Sequence, residues 1–279
     1  MKGNFREELC VLNYISKDDI KTDPFPHVIK KNLFPEPIIS ELVATKPSWA
    51  HLEKIHGPLN GRWRYGHTPK HFIDDPETSQ IWLDFLATNS SPEFYRRYIQ
   101  LFGSLAVEYS PNYRDYVDVH LDSDFGLDGY DTTVEKKVVL DGGFICYPCN
   151  PNNNVRFYRG PHLDRPFKLY AGLLYIKEEG DTAKGGGLGI YKFKDASIKI
   201  SEEDTKRHET FGDLYDFEMN EMIEVDRLEY ETNTFIFYPQ NAYALHGVLE
   251  RERSNHIRSI AFISADVAKP HYRLCEVYK

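Results

Sequence analysis

The arrangement of apolar and polar residues divides the chain into two parts with different patterns, and the boundary lies near position 133. Before it, apolar residues recur at helical spacing, which predicts helices that open at Pro35, span about 77–87, and start at Pro92 behind Ser91 as N-cap. A short extended run at 25–29 precedes them. Residues 1–133 are therefore expected to form a lead-in of strand and helix.

After position 133, short runs rich in Val, Ile, Phe and Tyr alternate with turn residues, which indicates a sandwich or small barrel. The predicted strands are 138–147, 168–177, 188–193, 234–238, 244–249, 257–264 and 272–277. An acidic stretch interrupts them, and we interpret about 195–226 as an insertion or lid loop. Because no internal repeat or Ser/Gly linker is found, we expect one α+β domain over 1–279, mainly β, whose helical lead-in covers a β core at 134–279.

Composition narrows the class of protein. The chain has 279 residues, is 41% hydrophobic and 28% charged, and carries a net charge of −9. These values are typical of a soluble globular protein and do not favour nucleic acid or anionic membrane as a partner. The N-terminus lacks a signal-peptide pattern and the chain has four cysteines, so we expect a reducing, cytoplasmic location. The oligomeric state stays open.

Two of the cysteines, Cys146 and Cys149, have C-x-x-C spacing. A structural zinc site needs a second such pair or two histidines, and neither is near in sequence. We therefore interpret the pair as small side chains at a strand end.

A His-x-Asp pair and a distant histidine are the main chemical signal. His162 and Asp164 stand two apart, which in a strand places both side chains on one side, and His246 follows 82 residues after Asp164 (246 − 164). Two imidazoles and one carboxylate on one face of a metal suit non-haem Fe(II) oxygenases. A second pair, His120 and Asp122, runs into a polar loop that does not match a calcium-binding loop, so we interpret it as coincidental.

The order of several motifs resembles the prolyl-hydroxylase-like branch of the Fe(II)/2-oxoglutarate dioxygenases. In that branch an H-x-D is followed by an LLYL strand and a Gly-Gly-x-Leu turn, and later by H-x-V and R-x-S/I-x-x-W/F elements. The matching segments here are CYP at 146–148, GPHLD at 160–164, LYAGLLYI at 169–176, GGGLGIY at 185–191, HGV at 246–248 and RSIAF at 258–262. The resemblance covers 144–265 and departs in a longer loop after Tyr147 and in the insertion.

The resemblance implies a double-stranded β-helix, the jelly-roll or cupin-like barrel. It implies that Fe(II) is bound by His162, Asp164 and His246. Arg258 would hold the distal carboxylate of 2-oxoglutarate, Tyr175 would offer its hydroxyl to that carboxylate, and Tyr147 would line the co-substrate site. The implied reaction is hydroxylation of an unactivated C–H bond with O2, in which 2-oxoglutarate is decarboxylated to succinate and ascorbate is a candidate reductant. Related halogenases replace the carboxylate with a small residue, so the presence of Asp164 favours hydroxylation.

Two other classes of function stay open at this point. One is a metal-binding barrel that serves hydrolysis, isomerisation or structure without oxidation; only a 2-oxoglutarate user needs Arg258 together with Tyr175. The other is a non-catalytic barrel that binds a glycan or peptide, which would not need three metal ligands.

The substrate also stays open between a small metabolite, a saccharide and a prolyl peptide. Four cations surround the metal motif: Arg156, Arg159, Arg165 and Lys168. They would steer an anionic substrate or form a solvated rim.

The strand that carries Arg258 gives a further expectation. Arg258 alternates with Ile260 and Phe262, so it should point inward with apolar neighbours. Arg251 and Arg253 lie in the polar turn before this strand and should face solvent.

Overall fold

The computed structural model describes residues 2–58, 64–130, 136–147, 159–165, 167–195, 215–216 and 219–268. Its α-helices are α1 (Glu36–Ala44), α2 (Trp49–His56), α3 (Pro69–Asp74), α4 (Gln80–Asn89), α5 (Pro92–Tyr109) and α6 (Arg114–Val117). Short 3-10 turns add Glu7–Leu9, Val11–Tyr14, Lys17–Asp19, Pro111–Tyr113, Asp122–Asp124 and Met219–Glu221. Within these ranges, no helix combines the length and apolar character that a membrane span requires.

The three predicted helices are present. The Ser91 hydroxyl accepts a hydrogen bond from the Phe94 backbone N–H at 3.0 Å, which confirms the predicted N-cap of α5. Helices α2 and α3 were not predicted, because the stretch around them is polar and lacks a clear apolar period.

Twelve strands lie in the described ranges. They are β1 (Val28–Lys30), β2 (Tyr65–His67), β3 (Phe125–Leu127), β4 (Val138–Tyr147), β5 (Arg159–Leu163), β6 (Lys168–Tyr175), β7 (Leu188–Phe193), β8 (Tyr215–Asp216), β9 (Met222–Leu228), β10 (Phe235–Pro239), β11 (His246–Val248) and β12 (Arg258–Val267). The strand predicted at 272–277 lies outside the described residues.

The strands form two sheets. The larger has the order β1-β10-β6-β12-β4-β2, with β3 added in parallel to β4, and the smaller has the order β8-β5-β11-β7-β9. The interpretation of 195–226 as an insertion loop is wrong at its C-terminal end, because β9 starts at Met222 and pairs with β7. Its charged residues Glu224, Asp226 and Arg227 made this edge strand resemble the acidic loop before it.

Alternate residues of β12 enter two different cores. Ala261, Ile263 and Ala265 pack with Trp82 of α4 and Phe94 of α5, so the helical lead-in covers the outer face of the larger sheet as predicted. The opposite face of β12 looks toward the smaller sheet.

A second core lies between the two sheets. It joins Ile260 of β12 and Tyr175 of β6 to Ile190 of β7 and Leu228 of β9. Two packed sheets with flanking helices confirm the α+β class, but no described strand of one sheet pairs with a strand of the other, so the sheets do not close into a barrel there. The space between the sheets holds the candidate site.

Candidate active site

The two histidines of the metal motif face each other on neighbouring strands. His162 of β5 and His246 of β11 are Cα partners, and their ring centroids are 4.4 Å apart. Each Nδ1 lies against the carbonyl oxygen two residues before it, at 2.8 Å for His162 and 2.9 Å for His246. A carbonyl can only accept, so each Nδ1 carries the hydrogen and each Nε2 keeps its lone pair for a metal.

Asp164 completes a three-ligand group just beyond the end of β5. Its Oδ1 lies 3.8 Å from His246 Nε2, and the ligand atoms of His162, Asp164 and His246 all lie within 4.8 Å of one another. The Tyr238 hydroxyl donates to Asp164 Oδ2 at 3.2 Å and lies 3.0 Å from His246 Nε2. Tyr238 therefore fixes the carboxylate beside the histidine.

The charges of this group suit a divalent cation. Burial, and then the neighbouring His246, lower the pKa of His162 well below its usual range, and burial also lowers the pKa of His246. Burial alone would raise the pKa of Asp164, but the nearby positive charge of Lys168 holds that pKa below its usual range. Two neutral imidazoles and one carboxylate at neutral pH form a donor set that fits Fe(II) without proton release from the histidines.

The second H-x-D pair, His120 and Asp122, lies at the protein surface. The side chains of His120 and Asp122 are 68% and 78% exposed, and Asp122 pairs with Arg96 on α5. Neither belongs to the metal-ligand group.

Arg258 is a buried cation in the same inter-sheet space. It is 1% exposed, and its Nε–H donates to the Gly186 carbonyl at 2.6 Å. Its guanidinium carbon lies 4.9 Å from the ring centroid of Tyr147 and 5.4 Å from those of Tyr175 and Tyr230. The predicted inward direction of Arg258 is confirmed, and the aromatic rings stabilise the cation from several sides.

The turn that supplies the Gly186 carbonyl requires glycine. Gly185 and Gly186 both have left-handed φ angles, 76° and 79°. A Cβ on Gly185 would lie 1.8 Å from the Glu250 carbonyl oxygen, and one on Gly186 would lie 2.7 Å from Arg251 Cδ. The glycine run therefore lets this turn approach the segment that leads into β12.

Tyr147 and Tyr175 flank Arg258 differently. Tyr147 is the Cα partner of Arg258 and lines the cavity with the metal ligands, whereas Tyr175 is fully buried behind Arg258 and is not among the cavity-lining residues. Burial raises the pKa of Tyr175 to about 12 against the opposing charge of Arg258, so its hydroxyl stays protonated.

The expectation that Arg251 faces solvent is wrong. Arg251 is 7% exposed, and its Nη2 donates to Asp181 Oδ2 at 2.6 Å. The turn that contains it folds back onto the 181–187 segment, which sequence distance alone does not reveal. Arg253 is exposed as expected.

One cavity of about 550 Å³ joins these elements. Its walls include His162, Asp164, His246 and Arg258, and also Arg159, Arg165 and Lys168 of the predicted cationic cluster. Arg156 lies outside the described residues.

The cavity also holds residues that sequence reasoning missed. Tyr238 follows Ile236 at a spacing of two on β10, which places both side chains between the sheets, and this alternation was the available signal. Asp141 and Asp266 also line the cavity. Asp141 lies on the predicted strand 138–147, at a position whose polarity conflicts with the apolar pattern around it, and Asp266 lies two residues beyond the predicted strand 257–264, on the observed extension of β12.

The C-x-x-C pair gives no metal site within the described residues. Cys146 is buried on the helix side of β4, with its Sγ 3.5 Å from Ser259 Oγ, and Cys149 lies outside the described residues.

Comparisons with known proteins find solved structures alone. No protein-family model and no curated protein matches the sequence. The chain is similar to a prolyl 4-hydroxylase from Pseudomonas putida, at 13% identity and a TM-score of 0.45, over 92% of this chain and 98% of that one. It is similar to a Trichoplax adhaerens prolyl hydroxylase in complex with a hypoxia inducible factor peptide fragment, at 10% identity and a TM-score of 0.44, over 95% and 92%.

A third similar structure is the viral collagen prolyl hydroxylase of Paramecium Bursaria Chlorella virus-1 as a 2-oxoglutarate complex. The identity is 12% and the TM-score 0.39, over 87% of this chain and 96% of that one. All three of these similar structures are prolyl hydroxylases.

Proposed function

We propose that the protein is an Fe(II)- and 2-oxoglutarate-dependent oxygenase that hydroxylates an unactivated C–H bond of an organic substrate. The observation that carries this proposal is one cavity in which three convergent metal ligands and a buried arginine meet. A metal site for hydrolysis, isomerisation or structure would not need a buried guanidinium beside it, whereas 2-oxoglutarate presents a carboxylate to one.

His162, Asp164 and His246 would hold the metal. Both histidines are oriented by their own backbone through Nδ1, and Asp164 by the Tyr238 hydroxyl, so little reorganisation is needed when the metal binds. Fe(II) with O2 and 2-oxoglutarate would supply the oxidising chemistry, with 2-oxoglutarate released as succinate and CO2.

Arg258 would anchor the distal carboxylate of 2-oxoglutarate. Its Nε is tied to Gly186, so the two terminal amino groups form the edge that would meet a carboxylate in a bidentate pair. Tyr147, on the cavity wall beside Arg258, is better placed than Tyr175 to contact the co-substrate directly. Tyr175 would support the guanidinium from behind.

The proposal extends to the architecture. The two facing sheets would form the jelly-roll core of a single domain over 1–279, with the two histidine ligands on the smaller sheet and the arginine on the larger. The two histidines and the arginine would then lie on strands, which hold side chains more rigidly than loops do, and Asp164 follows directly after the end of β5.

Succinate formation tests the proposal. Purified protein with Fe(II), ascorbate and 2-oxoglutarate should form succinate slowly, and should lose this activity without Fe(II) or in His162→Ala and Asp164→Ala. The matched controls are His120→Ala and Asp122→Ala, which remove the exposed copy of the same motif and should keep the activity.

Metal content supplies a second readout. After dialysis against Co(II), the wild type and the two controls should retain about one metal ion per chain, and the two site variants should retain less. Metal retention without succinate under any condition would indicate a non-oxidative metal-binding barrel. Loss of metal in the His120 variant would reassign the site.

A further inference from the structure

Two acidic residues occupy the end of the cavity away from Arg258. Asp266 lies eight residues after Arg258 on β12 (266 − 258), and Asp141 of β4 is the Cα partner of Ser264. Both line the cavity that contains the metal ligands, and Asp164 is among the charges that act on Asp266. The acidic pair is therefore near the metal ligands but at the opposite end of the strand from the arginine.

One oxygen of each carboxylate lacks a partner among the described residues, although the Gly142 backbone acts favourably on Asp141. Asp141 Oδ1 and Asp266 Oδ1 have almost no accessible surface and no hydrogen-bond partner, and neither side chain forms an ion pair within the described ranges. Burial raises the pKa of Asp141 to about 7 and also raises the pKa of Asp266. Both side chains are half-buried. A carboxylate in a cleft whose inaccessible oxygen lacks a partner destabilises a fold, and such groups are typical of ligand sites.

The cationic residues nearby do not remove this imbalance. Lys168 acts on both carboxylates from a distance, and Arg165 acts on Asp266, yet neither cation pairs with them. Asp128 adds a further negative charge that acts on both. The basic residues around the metal motif suggest an anionic substrate from sequence alone. The negative charge of such a substrate would be repelled by Asp141 and Asp266.

We propose that Asp141 and Asp266 recognise a positively charged group of the substrate, an ammonium or guanidinium, and so direct the oxygenase to an aminated compound. This inference rests on the proposed function for the reaction, but not for binding. A metal ion is a poorer occupant, because the only groups of three convergent ligands in the described residues are His162-Asp164-His246 and His56-His67-His71. A cation with N–H donors both neutralises the pair and satisfies its oxygens.

Compounds that differ mainly in charge test this inference. The probes are L-lysine against L-norleucine, and D-glucosamine against D-glucose and D-glucuronate. The aminated members should raise the rate of succinate formation above the substrate-free rate and should raise the melting temperature of the protein. L-norleucine, D-glucose and D-glucuronate should raise the rate of succinate formation and the melting temperature less than the aminated compounds do.

Variants of the two carboxylates test whether Asp141 and Asp266 cause the response to aminated compounds. Asp141→Asn and Asp266→Asn should each raise the apparent KM or Kd for the aminated compound about 10- to 100-fold, the range for a lost charge-assisted hydrogen bond. Asp115→Asn is the matched control, because it removes one negative charge from an exposed position on α6 and should change nothing.

The outcomes separate the two proposals. If the wild type forms no succinate but aminated probes still raise its melting temperature, and the two Asn variants lose this shift, the recognition site stands and the oxygenase proposal fails. If neutral or anionic probes act as well as aminated ones, if no aminated probe binds, or if the Asn variants behave like Asp115→Asn, the recognition site is wrong. The melting temperatures also show whether each variant is folded.

Discussion

Replacing Arg258 by alanine should weaken the binding of 2-oxoglutarate more than any other single change to a cation. The side chain is 1% exposed and lies among three tyrosine rings at 4.9 to 5.4 Å, so its charge is shielded from water and poorly screened. A charge-assisted pair in such a place is worth about 1.5–3 kcal/mol, which corresponds to roughly a 10- to 150-fold rise in the apparent KM for 2-oxoglutarate.

The assay is a titration of 2-oxoglutarate against the rate of succinate formation, at fixed Fe(II). Arg258→Lys should fall between the wild type and Arg258→Ala, because an ammonium keeps the charge but loses the planar pair of donors. Arg253→Ala is the matched control, since it removes an exposed arginine five residues away (258 − 253) and should leave the KM within about twofold, as surface changes usually do.

Arg251→Ala separates stability from co-substrate binding. Its buried pair with Asp181 would be broken, so the melting temperature should fall while the KM for 2-oxoglutarate changes little. If Arg258→Ala leaves the KM unchanged, or if Arg251 or Arg253 proves to be the sensitive residue, the carboxylate anchor has been assigned to the wrong side chain.

Three further predictions concern buried polar groups. Tyr238→Phe removes the hydroxyl between Asp164 and His246, and should lower metal affinity about 10-fold in a metal titration; unchanged affinity would mean that the hydroxyl does not orient these ligands. Burial, and then the neighbouring histidines, lower the pKa of His67 from the usual 6.5 to about 3. Because the unfolded chain takes up this proton at a higher pH than the folded protein does, the protein should lose about 1.4 kcal/mol of stability per pH unit as the pH falls below 6.5. In His67→Gln, the midpoint of urea unfolding should depend less on pH between pH 6.5 and 4.5 than it does in the wild type. An equal pH dependence in the two proteins would contradict this. Burial raises the pKa of Asp141 to about 7, so ionisation of this side chain should destabilise the folded protein by at most about 4 kcal/mol as the pH rises from about 4 to 7. Asp141→Asn should therefore be more stable than the wild type at pH 8 but not at pH 4.

Much of the metal group could be predicted from the sequence. The two-residue spacing of His162 and Asp164 requires only an extended backbone to put both on one side, and the register of Arg258 with Ile260 follows from the same alternation. The placement of Tyr238 was not predicted, since a tyrosine in an apolar strand is usually core. Its role depends on which strand lies across the cavity.

Which charged side chains are buried could be determined only from the tertiary structure. Arg251 and Arg253 stand in the same polar turn, yet one is buried against Asp181 and the other is exposed. Which of them is buried depends on how the glycine turn at 185–186 meets this segment, and that contact joins residues more than 60 positions apart.

The sequence by itself determined the helical and strand textures, the α+β class and the candidate ligands, because these depend on spacing along one segment. Only the tertiary structure decided that Asp141 and Asp266 share a cavity with the metal ligands and that Tyr147, rather than Tyr175, lines it beside Arg258. The physical reason is that burial and pairing of a charge depend on the register between strands distant in sequence. Local periodicity does not encode that register.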